Sequence, residues 1–114
     1  MVMQFNFPCE VIREGEAVLV VPKLSAFKRA PWEYAPCRAP VFYNPVMRLN
    51  RDIAVIAAQV FQEMIGRGIV IAEPLAGSGV RGIRFALEAD GVEHVYMNDI
   101  NPLAHKMADY NVEM

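Results

Sequence analysis

The residues with the clearest chemical potential lie in "EPLAGSGVRGIR", Glu73 to Arg84. Gly77-Ser78-Gly79-Val80-Arg81-Gly82 spells G-x-G-x-x-G. Glycine accepts positive φ and lets the backbone approach a ligand closely. A helix that starts after such a turn offers unpaired N–H groups and the positive end of its dipole. By itself the pattern is weak, and a purely structural turn is the competing reading. Its context strengthens it. The apolar run "GIVIAE" precedes it, a helical pattern follows it, and Asp99 closes the next strand-like run, "HVYMND".

Spacing separates two cofactor classes. A dinucleotide loop turns tightly off its strand, beneath a pyrophosphate. Here Glu73, Pro74, Leu75 and Ala76 stand between Ala72 and Gly77. A carboxylate at Glu73 suits a cation better than a pyrophosphate, and it can hold the ammonium of a methionyl group. S-adenosylmethionine is therefore favoured over NAD, which stays open as the alternative. Asp99 can accept hydrogen bonds from both hydroxyls of a ribose in either class. As a competing reading, Asp99 is a turn or capping residue before Asn101-Pro102.

These residues need elements to position them. "CEVIREGEAVLVVPK" predicts a β-hairpin about Glu14-Gly15 that ends at Pro22. Residues 24–50 carry Pro31, Pro36, Pro40 and Pro45 without a sustained period, with Trp32, Tyr34, Phe42 and Tyr43 interspersed. Asn50 is placed as an N-cap. Ile53, Ile56, Ala57, Val60, Phe61 and Met64 then share one helical face, and Gly66 sits at the C-cap. Ile69, Val70 and Ile71 predict a buried parallel strand. A helix from about Gly79 to Ala89, closed near Gly91, carries Ile83, Phe85, Ala86 and Leu87. After the strand "HVYMND", Asn101 caps a helix with Pro102 in its first turn and Leu103, Met107 and Tyr110 along it. The fold class is α/β. A hairpin (1–23) and a long basic, aromatic loop (24–50) precede the first part of an α/β cofactor domain (51–114).

Composition sets limits. The chain has 114 residues, 54% of them hydrophobic, 21% charged, with a net charge of −2. A packed core is expected, without a global nucleic-acid signature. Positive charge is concentrated in Lys23, Lys28, Arg29, Arg38, Arg48 and Arg51, against Glu33 and Asp52. Such a segment would meet an anionic partner, or else form a solvated basic loop. Cys9 and Cys37 fit no metal spacing, and free thiols in a reducing compartment are expected over a disulfide. No run reaches the roughly 18 apolar residues of a membrane span, and no secretory leader is evident. A cytoplasmic protein without membrane association or metal is expected.

"VFYNPVMRLNRDIAV", then "SGVRGIRFALEA", then "VYMNDI" resembles the tRNA (guanine(26)-N2)-dimethyltransferase family. The resemblance covers roughly Val41 to Asp99, and the order F-Y-N-P, N-R-D, [ST]-G-x-R-G-x-R is specific. It implies a partial Rossmann-like (class I) methyltransferase fold, S-adenosylmethionine as cofactor and tRNA as partner. By position it assigns Arg51, Arg81 and Asp99 to the cofactor, and Glu73, Ser78, Gly79, Gly82 and Ile100 are added as expected cofactor-binding residues of the loop and the strand end. Phe42, Tyr43 and Asn44 fall near the target base, and Asp52 is a weak catalytic candidate. Competing readings are an ion pair for Arg51, a solvated residue for Arg81 and core packing for Phe42.

The sequence departs from the family at two positions. Glu73 is often aspartate there, and Gly77 is usually a small non-glycine residue, so Gly77 is expected to be incidental. The family's D-P-[FY]-G loop, associated with the proton of the guanine amine, has no counterpart here. The chain is therefore expected to be an N-terminal fragment, inactive alone. The remainder of the enzyme, in the same chain or another subunit, would complete the fold and cover the helices after Asn50 and Asn101. A cofactor-binding module without chemistry, a methyltransferase for another RNA and an NAD-binding half domain stay open.

Overall fold

The computed structural model describes residues 5–28, 30, 36 and 38–114. The expectations for Arg29, Pro31, Trp32, Glu33, Tyr34 and Cys37 lie outside them. Strands β1 (Cys9–Glu14) and β2 (Ala17–Pro22) pair antiparallel, with Glu14 opposite Ala17. Gly15 makes the turn at φ 57°. A short 3-10 turn follows at Leu24–Phe27. A second, Pro45–Met47, is capped by the Asn44 side chain, which accepts from the Val46 N–H. Then come helix α1 (Arg48–Ile65), strand β3 (Ile69–Glu73), helix α2 (Val80–Glu88), strand β4 (Val92–Met97) and helix α3 (Pro102–Val112). Strands β3 and β4 are parallel, with Glu73 opposite Met97.

Several element ends follow the local chemistry. Gly66 closes α1 in the left-handed region at φ 68°. Asn101 caps α3 by accepting from the Leu103 N–H, and Pro102 stands where its missing N–H costs nothing. Asn50 is not the N-cap of α1. The helix begins at Arg48, because the Pro45–Met47 turn runs straight into it. The Asn50 side chain instead accepts from Arg81 Nη2 at 2.8 Å.

The hairpin is built into the core. Ala17, Leu19 and Val21 face Tyr43 and Val80, while Val20 faces Phe5, Val41, Ala104 and Met107. Strand β2 is thus buried on both faces, with α2 and α3 as neighbours. Asn111 of α3 binds the buried Val20 backbone of this strand, accepting from the Val20 N–H at 2.7 Å and donating to the Val20 carbonyl at 2.9 Å. The face of α3 that carries Met107 is therefore already covered, by the hairpin rather than by an absent element. Cys9 is a free thiol.

Helix α1 packs on the core through a narrower face than its apolar stripe. Its buried contacts run through Val55, supported by Ala54 and Ala58, onto Phe85 and Ala89 of α2. The larger stripe of Ile53, Ile56, Val60, Phe61 and Met64 is exposed. Strand β3 is likewise covered on one side only. Ile69 is buried, but Val70 is 58% exposed. A fully buried strand needs helices on both faces, and the described residues supply one. No helix among them is long and apolar enough to cross a membrane.

Candidate cofactor cleft

The β3–α2 connection, the end of β4 and the Phe42–Asn44 segment converge on one cleft of about 320 Å³. Phe42, Tyr43, Asn44, Arg51, Glu73, Ser78, Arg81 and Asp99 all line it. Residues separated by more than fifty positions are thus brought together as the motifs implied. Val80, Leu75 and Ala76 add apolar wall.

The glycine loop is held by the strand behind it. Backbone bonds from Ala76 N–H to the Asn98 carbonyl and from Asn98 N–H to the Glu73 carbonyl extend the parallel ladder past both strand ends. Gly77 turns at φ 56° and donates its N–H to Asp99 Oδ2 at 2.9 Å. It is not incidental. A side chain there would be strained in the left-handed region and would press on the Phe42 carbonyl. Gly79 takes φ 88° as the residue before α2.

Gly82 and Gly79 do not line the cleft. A Cβ on Gly82 would run into the Met97 side chain, so this glycine seats α2 against β4. Gly79 lies against Ala108 of α3. Both glycines serve the close packing of the loop and helix α2. Ile100 is 94% exposed and is not among the residues that line the cleft. Asp52 is also outside it and pairs with Arg84 Nη1 at 2.7 Å.

Three buried polar atoms of cleft-lining residues have no hydrogen-bond partner among the described residues: Glu73 Oε2, Ser78 Oγ and Arg81 Nε. Burial raises the pKa of Glu73, an effect that the Arg81 charge and the Gly82 backbone oppose. The Ser78 carbonyl, by contrast, is fixed by Asn111 Nδ2 at 2.8 Å. Asp99 accepts two backbone N–H groups, from Gly77 on Oδ2 and from Asn101 on Oδ1 at 2.9 Å. A carboxylate has about four acceptor sites, so two remain for a ligand. Phe42 is half exposed at the cleft and presents an aromatic face.

Arg51 does not reach across the cleft as a free fork. Its Nε donates to Glu14 Oε2 at 2.8 Å and its Nη2 to Glu14 Oε1 at 2.6 Å. Nη2 also donates to the Asn44 carbonyl at 3.0 Å, and the guanidinium lies 5.0 Å from the Tyr43 ring centre. The Tyr43 hydroxyl donates to Glu14 at 2.9 Å. Burial, then the neighbouring Glu14 carboxylate, push the Tyr43 phenol up to about 12, so it acts as a neutral donor. Arg84 Nη1 completes the set at 3.1 Å from Glu14 Oε2. Burial alone would raise the pKa of Glu14, but the bonds from Arg51, Tyr43 and Arg84 outweigh it and hold the carboxyl below its ordinary value. Glu14 carries no motif signal, since an acid beside a hairpin glycine reads as a turn residue, whereas Arg84 is the last residue of the [ST]-G-x-R-G-x-R string.

The comparisons with known proteins agree with this geometry. The profile of the family described as N2,N2-dimethylguanosine tRNA methyltransferase matches residues 15–114. The chain is 45% identical over 93 residues to a tRNA (guanine(26)-N(2))-dimethyltransferase of Methanothermobacter thermautotrophicus, covering 82% of this chain and 22% of that protein. A tRNA (guanine(26)-N(2)/guanine(27)-N(2))-dimethyltransferase of Aquifex aeolicus is 38% identical over 105 residues, 92% of this chain and 25% of its own length. Trm1 from Pyrococcus horikoshii, solved in complex with S-adenosyl-L-methionine, superposes with a TM-score of 0.70 at 35% identity. That overlay covers 90% of this chain and 23% of the solved one. The chain thus spans about a quarter of the length of the relatives it matches. Its α/β unit is part of a Rossmann-like methyltransferase fold. By family profile, motif order and superposition together, the chain belongs to the N2,N2-dimethylguanosine tRNA methyltransferase family.

Proposed function

We propose that this chain forms the S-adenosylmethionine-binding part of an enzyme that methylates the N2 amine of guanine at position 26 of tRNA, in the cytoplasm. The observation that carries the reading is the trio of buried, unpartnered atoms at one cleft, Glu73 Oε2, Ser78 Oγ and Arg81 Nε. A buried polar atom left without a partner costs about 1–3 kcal/mol. A ligand with both a cation and polar groups would satisfy this set.

The residues fit such a ligand. Glu73 would take the ammonium, and Arg51 and Arg81 would face the carboxylate. Asp99 would accept from the ribose hydroxyls, while Ser78 and the start of α2 supply polar groups to the rest. When bound, S-adenosylmethionine supplies a methyl group activated by its sulfonium. The protein's part is then alignment. Phe42, exposed at the mouth, offers a stacking surface for a base, with Tyr43 and Asn44 behind it. The basic residues Lys23, Lys28, Arg38 and Arg48 suit a polyanion.

Asp52 is engaged with Arg84 and is set aside as the proton acceptor. That acid, and the cover for Ile53, Ile56, Val60, Phe61 and Met64, are proposed to come from the remainder of the enzyme, in the same chain or another subunit.

Calorimetric titration of the chain with S-adenosylmethionine and with NAD tests the reading. Binding of the former only, lost in Asp99→Ala, is expected. Binding of NAD without S-adenosylmethionine would overturn it.

A further inference from the structure

We propose that Glu14, at the tip of the hairpin, is a positioning residue for the cleft, holding Arg51 and Tyr43 in its wall. The proposal rests on the cofactor reading above. Glu14 does not line the cleft, and it acts only through residues that do.

The geometry is specific. Glu14 is 2% exposed, and its two oxygens accept four hydrogen bonds. That number fills the acceptor capacity of a carboxylate. Two of the bonds form a fork on Arg51, and a third comes from Tyr43. The fork uses Nε and Nη2, leaving Nη1 of Arg51 without a partner among the described residues. An arginine on a helix would otherwise sample many rotamers, and ordering it on binding would weaken the ligand. Here the ordering is complete before any ligand arrives.

Stability alone is a poor account of this cluster. A buried ion pair often contributes no more than well-packed apolar residues of the same volume. The cluster instead joins four separate segments, β1, the Phe42–Asn44 segment, α1 and α2, and two of its members face the cleft. The hairpin thereby acquires a role in binding although none of its residues touches the cleft.

The test uses the whole chain with Glu14→Gln, and Val92→Ala as a destabilised control outside the cluster. Two readouts are combined: the Arg51 Nε–H signal by nitrogen-15 NMR and S-adenosylmethionine affinity by calorimetry. In the wild type the Arg51 signal should exchange slowly. In Glu14→Gln it should be lost while the amide spectrum stays dispersed, and affinity should fall about tenfold, as for one charge-assisted hydrogen bond. If Glu14→Gln cannot be purified, Glu14→Asp keeps the charge but shortens the arm, and the same losses are expected. An unchanged Arg51 signal, an unchanged affinity, or an equal loss in Val92→Ala overturns the positioning role. A wild-type chain with the slow Arg51 signal but no cofactor binding supports the positioning role and overturns the cofactor reading instead.

Discussion

Glu14 and Arg51 meet side-on, Nε to Oε2 at 2.8 Å and Nη2 to Oε1 at 2.6 Å, with both side chains at most 5% exposed. This contact ties the hairpin to the first helix. It makes the hairpin tip sensitive to acid. The folded state holds the Glu14 carboxyl below its ordinary pKa, so its contribution is present above the unfolded value and is lost as pH falls through the folded value. Thermal denaturation from neutral pH to below the ordinary glutamate value of about 4.3 should therefore show a loss of Tm that Glu14→Gln lacks. Glu14→Ala, which strands two buried arginines, should cost about 3–5 kcal/mol in urea titration. A cost under about 1 kcal/mol would show that the cluster relaxes freely.

Asn111 bonds three backbone groups at once, both polar atoms of Val20 and the Ser78 carbonyl. Asn111→Ala leaves all three buried groups to find other partners. The expected loss is about 3 kcal/mol by chemical denaturation, at the upper end for an unsatisfied buried group. Because Ser78 lies in the cleft, ligand-induced stabilisation should fall as well.

Two glycine-to-alanine changes should differ in cause. At Gly82 the new methyl group collides with the Met97 side chain, close to Val95, and either that side chain or α2 must shift. A destabilisation of about 1–3 kcal/mol is expected from such overpacking. At Gly66 nothing lies within 4 Å, and only the positive φ of 68° penalises a side chain. Gly66→Ala should cost about 1 kcal/mol. Reversing that order in matched denaturation curves would contradict the packing at Gly82.

Glu73 gives a pH dependence of opposite sign to Glu14. Burial, opposed by Arg81, raises its pKa, so the charged form that would hold an ammonium appears only as pH rises through this raised value. Affinity for S-adenosylmethionine should therefore climb with pH from the acid side, and Glu73→Gln should flatten the climb. Calorimetry at a series of pH values measures both. A flat profile in the wild type would remove Glu73 from the binding set.

Much of this molecule was readable one segment at a time. The hairpin about Gly15, the stop at Gly66, the cap at Asn101 and the turn before α2 all depend on neighbours a few residues away, where propensity and capping decide. Phe42, Arg51, Ser78, Arg81 and Asp99, which the motif resemblance assigns to the target base and the cofactor, line one cleft. Gly77 was misjudged because its need for positive φ comes from Asp99, beyond the loop itself. Asn50 lost its capping role to a proline turn that brought Arg48 into the helix.

By itself the sequence determined the element types, their order and the family motifs, because each is encoded in short-range periodicity, turn chemistry or a contiguous residue string. Only the tertiary structure decided which faces are covered and how the charges pair. Glu14 lies 37 residues from Arg51 and 70 from Arg84, and no local rule links such positions. The apolar stripe of α1 is expected to be covered by the remainder of the enzyme, but spacing alone does not show that Val55 is the residue that meets Phe85 while the larger residues stay outside. Burial is a property of what packs against a surface, and that depends on chain closure over long distances, which spacing along the chain does not encode.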